Sequence, residues 1–482
     1  MRKTKIVCTL GPSTERDDVL KELISLGMDV ARFNFSHGDH ETHKIRFNEV
    51  VRLREEFKRP VATMIDTRGP EIRVDVLNTE DGTVFIPEGS IVHFVLAADC
   101  EKVQDGDEFT IPLTYGKLCE DVCEGMHILL DDGLLDTIVL KVDGSKVTCK
   151  MLNGGLLKSR KGVNIPGCNL KMPFISEADE RDIRFAAELG FDFIAASFVR
   201  RPEDVIELRN LLNECGSHMR IISKIENLEG VQNIDEIIAV SDGIMVARGD
   251  MGVEIPEQEV PVIQKRIIKD VYREGKQVIT ATQMLESMIE HNRPTRAEVN
   301  DVANAIYDGT SAIMLSGETA AGKYPVEALK TMIKIAERTE SDIDYKKRFR
   351  NRDVSEARST SVTDAISHAA CMTAHDLSAD AIIAVTLTGR TALNVSKFRP
   401  LCPIMGCTTT KEVYYQLNLA WGVTPLLIDR EYSTSGLIDT AAGVVKEHGY
   451  LTEGGKAVVT AGVPIGKTGT TNMMRVVNES DY

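Results

Sequence analysis

Lys224 and Glu226 stand two residues apart in the apolar run Arg220-Ile-Ile-Ser-Lys-Ile-Glu226. In a β-strand that spacing sends both side chains to the same face. A later apolar run ends in Arg248-Gly249-Asp250. Carboxylates from two neighbouring strand ends, completed by substrate oxygens and water, form the oxygen-rich coordination that Mg²⁺ or the similar Mn²⁺ takes. A lysine beside them suits a phosphate whose negative charge grows during transfer. Asp66 is a third carboxylate at a strand end, in Asp66-Thr67-Arg68, and further polar ends read Arg32-Phe-Asn34-Phe-Ser36-His37, Thr282-Gln283 and Ser316-Gly317-Glu318. Arg32, Arg73, Lys161 and Arg248 offer more positive charge, and Gly249 exposes backbone N–H groups to an anion such as a carboxylate. Together these residues point to an enzyme acting on phosphorylated anions.

The elements that must position them recur along the chain. Eight short runs rich in Val, Ile and Ala begin at residues 4, 29, 60, 192, 220, 243, 277 and 312, and amphipathic segments such as 202–214 and 260–275 lie between them. None alternates polar with apolar, which is the pattern of parallel strands buried on both faces. Eight such units predict an α/β protein built on a (β/α)₈ TIM barrel, with the active site at the C-terminal ends of the strands. Between residues 70 and 168 the text changes to strands punctuated by Asp81-Gly82, Asp132-Gly133 and Asp143-Gly144 turns. This reads as a small all-β domain, a β-barrel lid inserted after the third strand and hanging over the mouth. The expected domains are 1–69 and 169–345 for the barrel, 70–168 for the lid, and 346–482 for a C-terminal α/β regulatory domain whose residues 346–361 form a linker.

Composition narrows the partners. Lys plus Arg total 57 against 73 Asp plus Glu, a net charge of -16, which argues against nucleic acid and anionic membranes. No run approaches the roughly 20 apolar residues of a membrane span. The first residues lack a secretory apolar stretch, and the ten cysteines form no C-x-x-C pair, so a cytoplasmic protein with reduced thiols is expected. Cys119, Cys123 and His127 would share a helix face as zinc ligands only if a helix ran through Gly125, and a fourth ligand is missing. Gly317 to Lys323 misses a P-loop because Tyr324 replaces Ser or Thr. Ala461 to Thr468 fits the loose pattern, but a strand rather than a helix is expected to follow, so this segment reads as a phosphate-binding turn at most.

At these strand ends the chain resembles the pyruvate kinase family. The segments are ARFNFSHG, DTRGPEIR, RKGVNIPG, IISKIENLEG, ARGDMGVEI, TATQMLESM and PTRAEVNDVANAIYDGTSAIMLSGETA, and the resemblance covers essentially the whole chain. It implies transfer of the phosphoryl group of phosphoenolpyruvate to ADP, giving ATP and pyruvate, the last step of glycolysis. It implies catalytic roles for Lys224, Arg32 and Thr282, and substrate contacts from Arg32, Lys224, Gly249, Asp250 and Thr282. Mg²⁺ would sit on Glu226 and Asp250, and K⁺ on Asn34, Ser36, Asp66 and Thr67. ADP or ATP would meet Asn34, His37, Arg73 and Lys161. In the C-terminal domain Thr386, Thr388, Gly389, Arg390 and Thr391 resemble a loop that binds the phosphate of an allosteric metabolite. Members with Glu at the position of Glu71 resemble the K⁺-requiring group, and a homotetramer is expected. Arg68 stands where many members carry Lys. A lyase acting on phosphoenolpyruvate would share the magnesium carboxylates without an ADP-binding lid, whereas a catalytically silent metabolite sensor would have lost Lys224, Glu226 or Asp250.

Overall fold

All eight apolar runs become strands of one closed, all-parallel barrel in the computed structural model, which describes residues 2–350, 361–466 and 469–482. They are β1 (Lys5–Thr9), β2 (Val30–Asn34), β3 (Ala62–Asp66), β4 (Phe193–Ala196), β5 (Arg220–Ile225), β6 (Gly243–Ala247), β7 (Gln277–Ala281) and β8 (Ala312–Leu315). Neighbours follow chain order, and β8 closes onto β1. Alternate residues such as Val7, Met64, Phe193, Ile222 and Met245 fill the interior, while Ile6, Ile65, Ile194, Ile221 and Ile244 pack outward against the helices. Both faces are buried, which is why the sequence of each strand is continuously apolar.

The lid is built from strands between Ile72 and Asn164, arranged as an eight-stranded sheet and a two-stranded ribbon. A bridge from Val74 to Leu113, flanked by Asp75 N to Pro112 O at 2.8 Å and Thr114 N to Arg73 O at 3.0 Å, draws the sheet ends together. One pairing, Ile91–Leu96 with Glu108–Leu113, is parallel, so the lid is not a simple run of hairpins. The helical zinc grouping does not form. Cys119 lies in the short helix Leu118–Asp121, Cys123 lies beyond it, and His127 starts a strand and pairs with Asp136. Gly125 turns the chain with φ of 86°, so a helix cannot run through it.

The C-terminal domain carries a five-stranded sheet of β9 (Ala381–Val385), β10 (Ile404–Thr408), β11 (Val423–Leu427), β12 (Lys456–Gly462) and β13 (Thr471–Asn478), in the order β11-β10-β9-β12-β13. Only β13 is antiparallel. β11 and the helices Lys411–Gln416 and Thr434–Glu447 were not anticipated from the sequence. Helix Tyr345–Arg350 occupies the start of the expected linker, whose residues 351–360 lie outside the described residues. Among the described residues no helix starts between β12 and β13, and Lys467 and Thr468 of the loose phosphate-loop pattern lie outside the described residues.

This domain seals the barrel floor. Tyr415 and Leu419 join the interior cluster, the Arg54 guanidinium stacks 3.6 Å from the Tyr415 ring centroid, and Asn418 Nδ2 donates to Asp29 O at 2.9 Å. Among the described residues no helix is long and apolar enough to cross a membrane.

Candidate active site

The mouth of the barrel is an ionic network strung across neighbouring strands. Asp66, at the end of β3, accepts Arg32 Nε at 2.7 Å on one oxygen and Lys224 Nζ at 3.0 Å on the other. Arg32 comes from the paired strand β2 and also donates to Thr9 Oγ1 at 2.9 Å. Burial alone would push the Asp66 carboxyl up, but the Arg32 and Lys224 charges outweigh it and hold it below the usual carboxylate range.

Lys224 projects to the same side of β5 as Glu226, as the two-residue spacing requires, and its Nζ lies 3.0 Å from Glu226 Oε1. Burial disfavours its charge, yet Asp66 and Glu226 more than compensate, so the ammonium is held above its ordinary range. Glu226 is only 1% exposed. Burial raises its pKa, Lys224 opposes the shift and Asp250 adds to it. Its Oε2 accepts Phe198 N at 2.6 Å, while its buried Oε1 faces the Lys224 ammonium.

β5 and β6 are paired, which brings Glu226 beside Asp250. Asp250 sits in the first turn of helix Arg248–Glu254. The Gly249 N–H is not free in this structure, because it donates to Thr282 Oγ1 at 2.8 Å. Thr282 has φ of 66°, an uncommon left-handed conformation for a β-branched residue. Its carbonyl accepts Arg248 Nη2 at 2.6 Å. Arg248 also grips Asp301 at 2.7 and 2.8 Å, so it braces the site rather than offering free positive charge. Glu318 is likewise consumed internally, accepting Leu285 N and Ser316 N.

Asn34 and Asp66 are cross-strand partners, and Ser36 and Thr67 follow them, so these four form one ledge. Asn34 Oδ1 accepts Ser36 N at 3.1 Å. His37 is exposed at the rim. Arg73 and Lys161 lie on lid strands or beside them, paired with Glu71 and Asp131 at 2.7 Å each. The charged neighbours of Glu71 are Arg73, Asp250 and Asp132, and burial raises its pKa. Sequence reasoning gave no role to Ser197 and Phe198, which follow β4 and touch Lys224, Asp66, Thr67 and Glu226. A polar residue at a fourth strand end was the available signal.

The second constellation lies in the C-terminal domain, bordering a cavity of about 530 Å³ lined by Thr386, Thr388, Arg390 and Thr391, with Thr408 and Thr410 opposite. Gly389, with φ of 83°, begins helix Arg390–Ser396 beside it. Arg220, the first residue of β5, reaches across the domain boundary and donates to Thr388 O at 2.5 Å.

Known proteins match this chain along nearly its whole length. Residues 1–329 match the family described as pyruvate kinase, barrel domain, and residues 364–477 match pyruvate kinase, alpha/beta domain. Pyruvate kinases of Staphylococcus aureus strains MRSA252 and USA300 are each 48% identical over 478 residues, 99% of this chain and 80% of theirs. The structure of a pyruvate kinase from Cryptosporidium parvum superposes with a TM-score of 0.92 at 40% identity, covering 99% of this chain and 96% of that one. The chain belongs to the pyruvate kinase family, whose reaction moves the phosphoryl group of phosphoenolpyruvate to ADP and yields ATP and pyruvate.

Proposed function

We propose that Lys224 carries this reaction by neutralising the phosphoryl group as it passes to ADP. The supporting observation is a buried ammonium, 8% exposed, held between Asp66 and Glu226 at the open end of the barrel. Arg32 grips the substrate phosphate. The backbone of Gly249 and Asp250 meets the substrate carboxylate, which takes over the Gly249 N–H from the Thr282 hydroxyl. Thr282, so released, lies near the enolate carbon and helps place the proton that makes pyruvate.

Glu226 and Asp250 would hold the divalent cation, Mg²⁺ or Mn²⁺. The fit rests on the donor set, two neighbouring carboxylates at the mouth, Glu226 and Asp250, which are the hard oxygen ligands such an ion takes. The bound ion supplies charge neutralisation for substrate oxygens. Asn34, Ser36, Asp66 and Thr67 offer oxygens from adjoining strand ends for K⁺. Arg73 and Lys161 on the lid side, with Asn34 and His37 on the barrel side, flank the cleft for ADP. The hydrogen bond from Asn164 Nδ2 of the lid to Glu254 Oε1 of the barrel, 3.1 Å, clasps the cover that keeps water from competing for the phosphoryl group.

The cavity at Thr386, Thr388, Gly389, Arg390 and Thr391 takes the phosphate of an allosteric metabolite, a sugar phosphate or nucleotide. Family membership supports a cytoplasmic homotetramer. The test is pyruvate formation from phosphoenolpyruvate with Mg²⁺, with and without ADP and K⁺. Pyruvate production that ignores ADP would replace this reading with a lyase, and no production at all would leave the sensor.

A further inference from the structure

Ser197 is 2% exposed and directly follows the fourth barrel strand. Its hydroxyl accepts Lys224 Nζ at 2.8 Å and lies 2.6 Å from Thr67 O and 3.1 Å from Asp66 Oδ1. Its own N–H donates to Thr67 Oγ1 at 3.1 Å. A serine hydroxyl has one proton, so it can satisfy only one of those two acceptors at a time. The next residue, Phe198, has φ of 55°, and in that left-handed conformation its N–H donates to Glu226 Oε2 at 2.6 Å. Gly69 leaves room for this turn, since a Cβ there would stand 2.8 Å from Ser197 O. One turn therefore holds Lys224 and Glu226 and also touches both Asp66 and Thr67.

We propose that Ser197 is a positioning residue for phosphoryl transfer, fixing the Lys224 ammonium and linking it to the monovalent-cation ledge. This rests on the reading that Lys224 acts on the phosphoryl group. The proton goes to Thr67 O, the closer acceptor, while the hydroxyl oxygen takes the Lys224 ammonium. One side chain thus anchors both the lysine and the backbone of the ledge, and its removal would loosen the two together.

The experiment compares wild type, Ser197→Ala and Ser197→Thr. It measures kcat and KM for phosphoenolpyruvate at saturating Mg²⁺ and K⁺, binding of Tl⁺ as a K⁺ surrogate by thallium NMR, and the thermal midpoint. Ser197→Ala should lose kcat by about 10–100-fold, with KM changed by less than about threefold and Tl⁺ bound several-fold more weakly. Ser197→Thr, which keeps the hydroxyl, should recover most of the turnover. Wild-type kcat in Ser197→Ala overturns the proposal. So does equal loss in both variants with native midpoints and unchanged Tl⁺ binding, which would make Ser197 a packing residue. If the threonine does not fold, the kcat–KM split and the Tl⁺ titration of Ser197→Ala decide alone. A wild type that turns over no phosphoenolpyruvate overturns instead the assignment of Lys224, and the two failures remain distinct.

Discussion

At the floor of the barrel, Asp29 and Asp192 stand at the heads of β2 and β4 and are engaged by the protein itself. Asp29 takes Arg2, Ile6 N and Lys5, and Asp192 takes Thr63 N at 2.8 Å, Thr63 Oγ1 at 2.9 Å and Arg54. At the mouth, carboxylates at the ends of β3 and β5 gather round one lysine instead. Lys224 meets both Asp66 and Glu226, and the Ser197 proton faces two acceptors. Buried charge at one end is spent on joining strands and docking the C-terminal domain. At the other end opposite charges converge on a single buried ammonium beside the lid cleft. The contrast places function by where the charges converge rather than by how many there are.

The sharpest way to break this comparison is Lys224→Met, which should lower turnover by about 10² or more while changing substrate affinity far less. A folded mutant with near-normal kcat in steady-state assay would mean that the mouth is as structural as the floor. Next in size is regulation. Arg390→Ala should abolish the activation by sugar phosphates or nucleotides that wild type shows, a coupling of about 1–3 kcal/mol. Titrating a panel of these metabolites against both proteins, and finding equal responses or none in either, would remove the effector reading. Glu71→Lys should keep measurable activity in tetramethylammonium buffer, where wild type should be poorly active, and should gain little from added K⁺. Its ammonium would sit near Asp250 and Asp132, so a mutant still strongly dependent on K⁺ would show that charge in the cleft cannot replace the ion.

The smallest effect belongs to the floor. Burial raises the Asp192 carboxyl from 3.8 to about 6, against the opposing pull of Arg54. Its native state therefore binds the proton more tightly than the unfolded chain, and that contribution to stability fades as pH rises from about 3.8 to about 6. The thermal midpoint of Asp192→Asn relative to wild type should climb over that interval and level off above it, by about 2 °C or less. Turnover should not change. A flat difference would show that Arg54 already holds the carboxylate ionised, and a loss of turnover would erase the distinction between the two ends.

Much of the mouth was readable in advance because it depends on local periodicity. The two-residue step from Lys224 to Glu226 determines their shared face, and burial on both faces makes each barrel strand visible as an unbroken apolar run. What escaped depends on contacts between distant segments or on backbone conformation. Ser197 looks like any polar residue closing a strand until β3 and β5 are placed on either side of it. The left-handed backbones of Phe198 and Thr282 leave no mark in residue type. Arg248 promised free positive charge, and only the fold brings Asp301 to it. In the C-terminal domain β11 carries Pro425 inside its run, which hides it, and Tyr415 and Leu419 give no hint that they close the barrel of another domain.

The contact of Arg220 with Thr388 bears on how modular this architecture is. β5 begins against the C-terminal domain and ends with Lys224 and Glu226 at the barrel mouth, so exchanging that domain for a relative's is also surgery on the strand that carries them. A graft would do best with glycine at position 389, where φ is 83° and an added Cβ would stand 3.0 Å from the Arg220 guanidinium. The unit that can be inherited or transplanted intact is therefore larger than the domain that the chain boundary suggests, and it includes the head of β5.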